Sequence, residues 1–158
     1  MFDLNAFRAA SLSPRQATVS VPDLQHFFPD GATAEWTVRG LTGEEIARAN
    51  DSSARYQIVA AAIAALAASS AAKEGQVEAM QSLLGYGTEV PEDLAKRLDH
   101  LVFGSVTPVI DRDIAVRIFS AFPMVGYQLT NKILELTGLG ADLGKVPLST
   151  ASPASVLP

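Results

Sequence analysis

The sequence predicts a mainly α-helical fold, a bundle of four to five helices with a small N-terminal β-hairpin and a flexible C-terminal tail. Three observations lead there. Of 158 residues 48% are hydrophobic but only 7% aromatic, and 25 are alanine, which adds little transfer free energy but favours helix and lets backbones come close. Two short stretches, Ala17 to Val21 and Ala34 to Arg39, alternate and hold β-branched or aromatic residues, a strand signal. From Leu41 the apolar period becomes helical. The organisation expected is an arm at 1–16, a hairpin at 17–40, a helical body at 41–145 and a tail at 146–158.

Residues 1–16 show no sustained period, with room for a turn of helix around Leu4 to Ala10. The Phe28-Pro29-Asp30-Gly31 tetrad between the two strand-like stretches signals a turn. Two strands do not stand alone in water, so this sheet must lie on the helices or pair with another chain. Thr42 and Glu45 fit a capping box that opens a helix. Asn50-Asp51-Ser52-Ser53 is poor helix material and a candidate interruption. The pattern resumes at Ala54, with Tyr56, Val59, Ile63 and Leu66 on one stripe beside alanines. A further piece, Gly75 to Leu84, stops at Gly85-Tyr86-Gly87, and Pro91 suits a first helical position. Leu94, Leu98, Leu101 and Val102 form the buried stripe of the next helix, which Thr107-Pro108 ends. Asp111 is placed to cap the last segment.

That last segment is the most regular. Ile118, Phe122, Val125, Leu129, Ile133 and Leu136 are spaced close to a seven-residue repeat. Pro123 in its middle predicts a kink or a break near Ala121. The stripe has two readings, a core face or a seam for a partner helix. After Lys145 the chain is Ser, Pro and Ala with few core-forming residues.

Composition excludes several functions. The absence of cysteine excludes a disulfide framework, a thiolate zinc site and a cysteine nucleophile. A net charge of −5 with scattered basic residues argues against nucleic-acid binding. The N-terminal stretch carries Asp3 early and Arg8 and Arg15 late, the wrong order for a secretory signal. The apolar run between Arg55 and Lys73 reads as a buried helix rather than a membrane span, being short and mostly alanine.

Candidate chemistry has plain structural explanations. His26 and His100 each have an acid nearby, Asp23 and Asp99, but no nucleophile motif accompanies them. Ser70-Ala71-Ala72-Lys73 has the spacing of penicillin-recognising enzymes without their companion elements. Asp111 and Asp113 are too few for a calcium cage and suit capping. Gly138, Gly140 and Gly144 follow a helix and suit its termination. No catalytic, cofactor or metal site is expected.

The stretch Val38-Arg39-Gly40-Leu41-Thr42-Gly43-Glu44-Glu45, the helical body, Phe122-Pro123, and Ile133-Leu134-Glu135-Leu136-Thr137-Gly138-Leu139-Gly140 together resemble the tail assembly chaperones of long-tailed bacteriophages over roughly residues 17 to 145. The resemblance implies a non-enzymatic protein of the host cytoplasm. It would bind the helical tape measure protein, keep it soluble and help recruit tail tube subunits; a longer frameshift product is common in that family. The partner-binding residues expected are Ile118, Phe122, Val125, Leu129, Ile133 and Leu136, with Trp36 and Val38 on an exposed hairpin edge, serving client binding or self-association. Two other readings remain open: a virion structural subunit such as a tail terminator, connector or decoration protein, and a small helical adaptor or regulator.

Overall fold

A computed structural model describes residues 1–67 and 92–143. In chain order it has α1 (Leu4–Ala9), β1 (Leu12–Pro14), β2 (Gln16–Ser20), a 3₁₀ helix (Pro22–Phe27), β3 (Glu35–Arg39) and α2 (Gly43–Ala67). Then follow α3 (Glu92–Gly104), β4 (Ser105–Thr107), α4 (Arg112–Ala121), α5 (Pro123–Gly138) and β5 (Ala141–Leu143). The strands make an antiparallel three-stranded sheet, β2-β3-β4, and a two-stranded ribbon, β1-β5.

This corrects the expected helical bundle with one hairpin. The fold is α+β, because the hairpin gains a third strand from residues taken as the stop of a helix, and the arm pairs with the chain beyond Gly138. Both additions are three-residue strands. A strand that short shows no alternation of its own, and only distant pairing makes it a strand.

The hairpin itself matches the sequence reading. β2 and β3 pair in the register Ala17↔Val38 and Val19↔Trp36, so these four share one face of the sheet. That face is turned to the helices, with Trp36 and Val38 buried and Ala17 and Val19 packed beside them. On the other face Thr18 and Thr37 bring their hydroxyls within 3.4 Å. Gly31 takes φ +80° in the turn closed by the Ala32 N–H to Pro29 carbonyl bond, a conformation glycine adopts without strain. The buried Trp36 indole donates from Nε1 to Ser105 Oγ at 3.1 Å, pinning β3 to β4.

Two helix starts match the sequence reading, while α3 ends at Gly104, before the Thr107-Pro108 stop expected for it. The Thr42 amide donates to Glu45 Oε2 at 2.9 Å and the Glu45 amide to Thr42 Oγ1 at 3.3 Å, completing the capping box. α2 then runs unbroken through Asn50-Asp51-Ser52-Ser53. The interruption expected there does not occur, because α2 packs on α3 with Ala49 and Ser53 buried between them. Tertiary burial outweighs a few tenths of a kcal/mol of propensity per residue, about 0.7 at most. Asp111 caps α4 through the Ile114 amide at 3.0 Å. Phe122 separates α4 from α5, and Pro123 takes the first position of α5, so the break expected near Ala121 is present. The side-chain environment of Tyr56, Val59, Ile63 and Leu66 lies outside the described residues, as do the piece at 75–84, Gly85-Tyr86-Gly87, Pro91 and the tail.

The core is one cluster between the sheet and the helices, built on Leu98 and Leu101 of α3, Ile118 of α4 and Val125, Leu129 and Ile133 of α5. A second device holds α3 to α5 at the surface. Arg97 donates to Asp93, to Thr130 Oγ1 at 3.0 Å and to Asn131 Oδ1 at 2.9 Å, with its guanidinium 4.9 Å from the centroid of the Tyr127 ring.

Where β3 turns into α2, Arg39 donates to both carboxylate oxygens of Glu45, at 3.0 and 2.6 Å. The Arg39 guanidinium, followed by the Thr42 amide, holds the Glu45 carboxyl below its ordinary range against the opposing effect of burial. A carboxylate with a depressed folded pKa stabilises the fold above its unfolded pKa, and that contribution is lost as pH falls through the folded value. Glu45→Gln should therefore lower stability by about 1–3 kcal/mol at neutral pH. Urea unfolding at a series of pH values should show the gap from the parent chain closing below the carboxylate range.

Candidate protein-binding surface

Seven of the eight expected partner-binding residues lie in the core. Ile118, Val125, Leu129, Ile133, Leu136, Trp36 and Val38 are each at most 6% exposed. The regular stripe is thus a core face along these turns, and a seam for a partner is excluded at those positions. The hairpin-edge expectation also fails: β3 is the middle strand, with β2 along its length and β4 at Thr37 and Val38, so it is not an edge strand of the sheet.

Phe122 is different. Held by the break between α4 and α5, it is only half-buried. Its ring meets Phe27 edge-on at 6.2 Å and 80°, and Phe27 is 74% exposed. Met124, two residues further on, is 75% exposed. The end of the 3₁₀ helix and the start of α5 thereby present an apolar corner in the Phe27–Phe122 pair, with exposed Met124 in the first turn of α5. An exposed thioether adapts to varied apolar partners. Sequence reasoning missed Phe27 and Met124. A usable signal was the adjacent pair Phe27-Phe28 before a turn, of which only Phe28 packs on the core.

A second apolar feature lies where the two stretches carrying the resemblance meet. The Leu41 amide donates to Thr137 Oγ1 at 2.9 Å. Gly40 lies so close to α5 that a Cβ on it would sit 3.0 Å from the Leu136 carbonyl carbon and the Thr137 nitrogen, both backbone. Beside this junction is a groove of about 320 Å³ lined by Leu12, Pro14, Leu41, Leu136, Gly140 and Ala141.

The candidate chemical residues are not brought together. His26 is exposed. Asp99 Oδ1 accepts from Arg112, and neither Asp99 Oδ2 nor His100 Nδ1 has a hydrogen-bond partner among the described residues. Burial pushes the His100 imidazole below its ordinary range, with the Asp99 charge opposing. Asp113 pairs with Arg117 at 3.2 Å, while Asp111 is engaged as a cap. Gly140, at φ +72°, follows the end of α5, and Gly144 and Ser70-Ala71-Ala72-Lys73 lie outside the described residues. Among the described residues no group of three or more His, Asp or Glu could hold a metal, and no helix is long and apolar enough to cross a membrane.

No family model matches the chain, and no curated protein or solved structure matches it.

Proposed function

We propose that this protein is a tail assembly chaperone of a long-tailed bacteriophage, a non-enzymatic protein that binds the tape measure protein in the host cytoplasm and promotes tail tube assembly. The observation that carries the reading is the junction of the two resembling stretches, in which the strand-to-helix turn at Gly40-Leu41 is fastened to the end of α5. Segments 96 residues apart in sequence that share a resemblance and also share a contact belong to one structural unit. The surface proposed for the client is the Phe27–Phe122 corner with the exposed Met124. A tape measure protein presents long apolar helical stripes, and an aromatic and methionine corner takes such a stripe by its repeating anchors.

Co-expression with the tape measure protein from the same genome, followed by a pull-down, tests this. A complex is expected, weakened at least about tenfold, or about 1.4 kcal/mol, by Phe27→Asp with Met124→Asp. Both side chains are largely exposed, so the variant should keep the parent circular dichroism. Absence of a complex overturns the chaperone reading, and a complex indifferent to both substitutions overturns the assignment of the corner. The exposed N-terminal arm favours a second reading, a virion structural subunit; presence in purified mature particles would decide for it.

A further inference from the structure

The N-terminal arm is apolar and, among the described residues, largely exposed. No residue of α1 is buried, and the Phe2 and Phe7 rings contact each other at 5.5 Å while remaining 69% and 52% exposed. A six-residue helix is far below the length of about 12–15 residues at which helices become even marginal in water. The β1-β5 ribbon that follows has three residue pairs, and the paired Leu12 and Leu143 stay 44% and 62% exposed. An isolated two-stranded ribbon is likewise marginal. Both elements need a surface to fold against.

We infer that the arm of one copy of this chain, with Phe2 and Phe7 leading, docks in the groove beside the Gly40-Leu136 junction of a second copy. Two observations favour a second copy as the occupant. Phe2, Leu4 and Phe7 on the arm, with Leu143 on the ribbon and Leu139 beside it, are between 52% and 69% exposed, which amounts to roughly 550 Å² of apolar surface, approaching the ~800 Å² per partner of a specific interface. The groove, about 320 Å³, is at the small end of ligand cavities, around 300 Å³, which suits one aromatic side chain rather than a large ligand.

The aromatic end of the arm, Phe2 and Phe7, is no part of the groove, which β1 borders through Leu12 and Pro14, so the contact is heterologous and each copy can both give and receive. The proposal does not rest on the chaperone reading, and it uses a surface separate from the Phe27 corner. Sedimentation velocity over a concentration series tests it with two variants of the full chain. Phe2→Ser with Phe7→Ser disables the arm and keeps the groove. Ala141→Arg obstructs the groove and keeps the arm, at an exposed position. The parent chain should associate, each variant alone should be monomeric with parent circular dichroism, and a mixture of the two should form a one-to-one dimer. A monomeric parent, association that survives either variant, or a mixture that stays monomeric overturns the proposal. Association of the parent with loss of tape measure binding would overturn the chaperone reading alone.

Discussion

Replacing Trp36 with alanine should remove about 3–5 kcal/mol of stability, a fifth or more of what a domain of this size commonly has, roughly 5–15 kcal/mol. The indole is 4% exposed and is the only tryptophan. It packs at the middle of the sheet, and its Nε1 donates to Ser105 Oγ. Truncation therefore opens a cavity and frees a buried hydroxyl. Trp36→Phe separates the two effects: it keeps most of the ring and loses the hydrogen bond, and should cost about 1–3 kcal/mol. Ser105→Ala, added to Trp36→Phe, should then be nearly neutral, because both polar partners are gone. Urea titrations followed by circular dichroism measure all three. The same residue decides between core and interface. In the parent chain Trp36 fluorescence should resist acrylamide quenching with no partner present, and strong quenching in the free protein would overturn its assignment to the core.

Gly104→Ala should destabilise the protein although it exchanges a poor helix former for the best one. The expected propensity gain is up to about 1 kcal/mol. Against it stands Ile133, whose Cδ1, Cγ1 and Cγ2 would lie 2.5, 2.7 and 2.8 Å from the new methyl carbon. Ile133 is fully buried, so its side chain has nowhere to swing. Overpacking of this kind costs about 1–3 kcal/mol, and overpacking wins here because three atoms of one side chain are met together. A double-mutant cycle checks the cause. Ile133→Ala should cost about 2–5 kcal/mol alone and at least about 1 kcal/mol less in the Gly104→Ala background. Additive effects would place the strain elsewhere.

The features that sequence made legible share a local origin. The capping box of Thr42 and Glu45, the Asp111 cap, the break at Pro123 and the β2-β3 pairing each depend on residues a few positions apart or on one repeated alternation. The third strand and the β1-β5 ribbon depend on partners far away in sequence, as in Thr37↔Thr107 and Leu12↔Leu143, and their residues carry no period. The same limit governs the surface. Periodicity marks which residues of α5 face one way, and for Val125, Leu129 and Ile133 that way is inward. It does not reveal whether the inner side is the protein's own core or another molecule's. Phe122 was legible as part of the stripe, but its exposure follows from the break beside it, and Phe27 reaches it only through the tertiary fold.

The outer edge of β2 has a consequence for strand addition. Because the Gly40 amide bonds to the Arg15 carbonyl and the Val21 amide to the Ala34 carbonyl, the backbone groups of Gln16, Thr18 and Ser20 point away from β3. α5 lies along that edge, and Gln128 Nε2 donates to the Ser20 carbonyl at 3.4 Å. Asn131 and Lys132 line the cleft beside Thr18. At the opposite edge β4 is three residues long and runs into Pro108, which has no amide to give. One margin of this sheet thus has polar side chains of α5 beside it and the other is cut short, so this sheet offers an added strand little continuous edge.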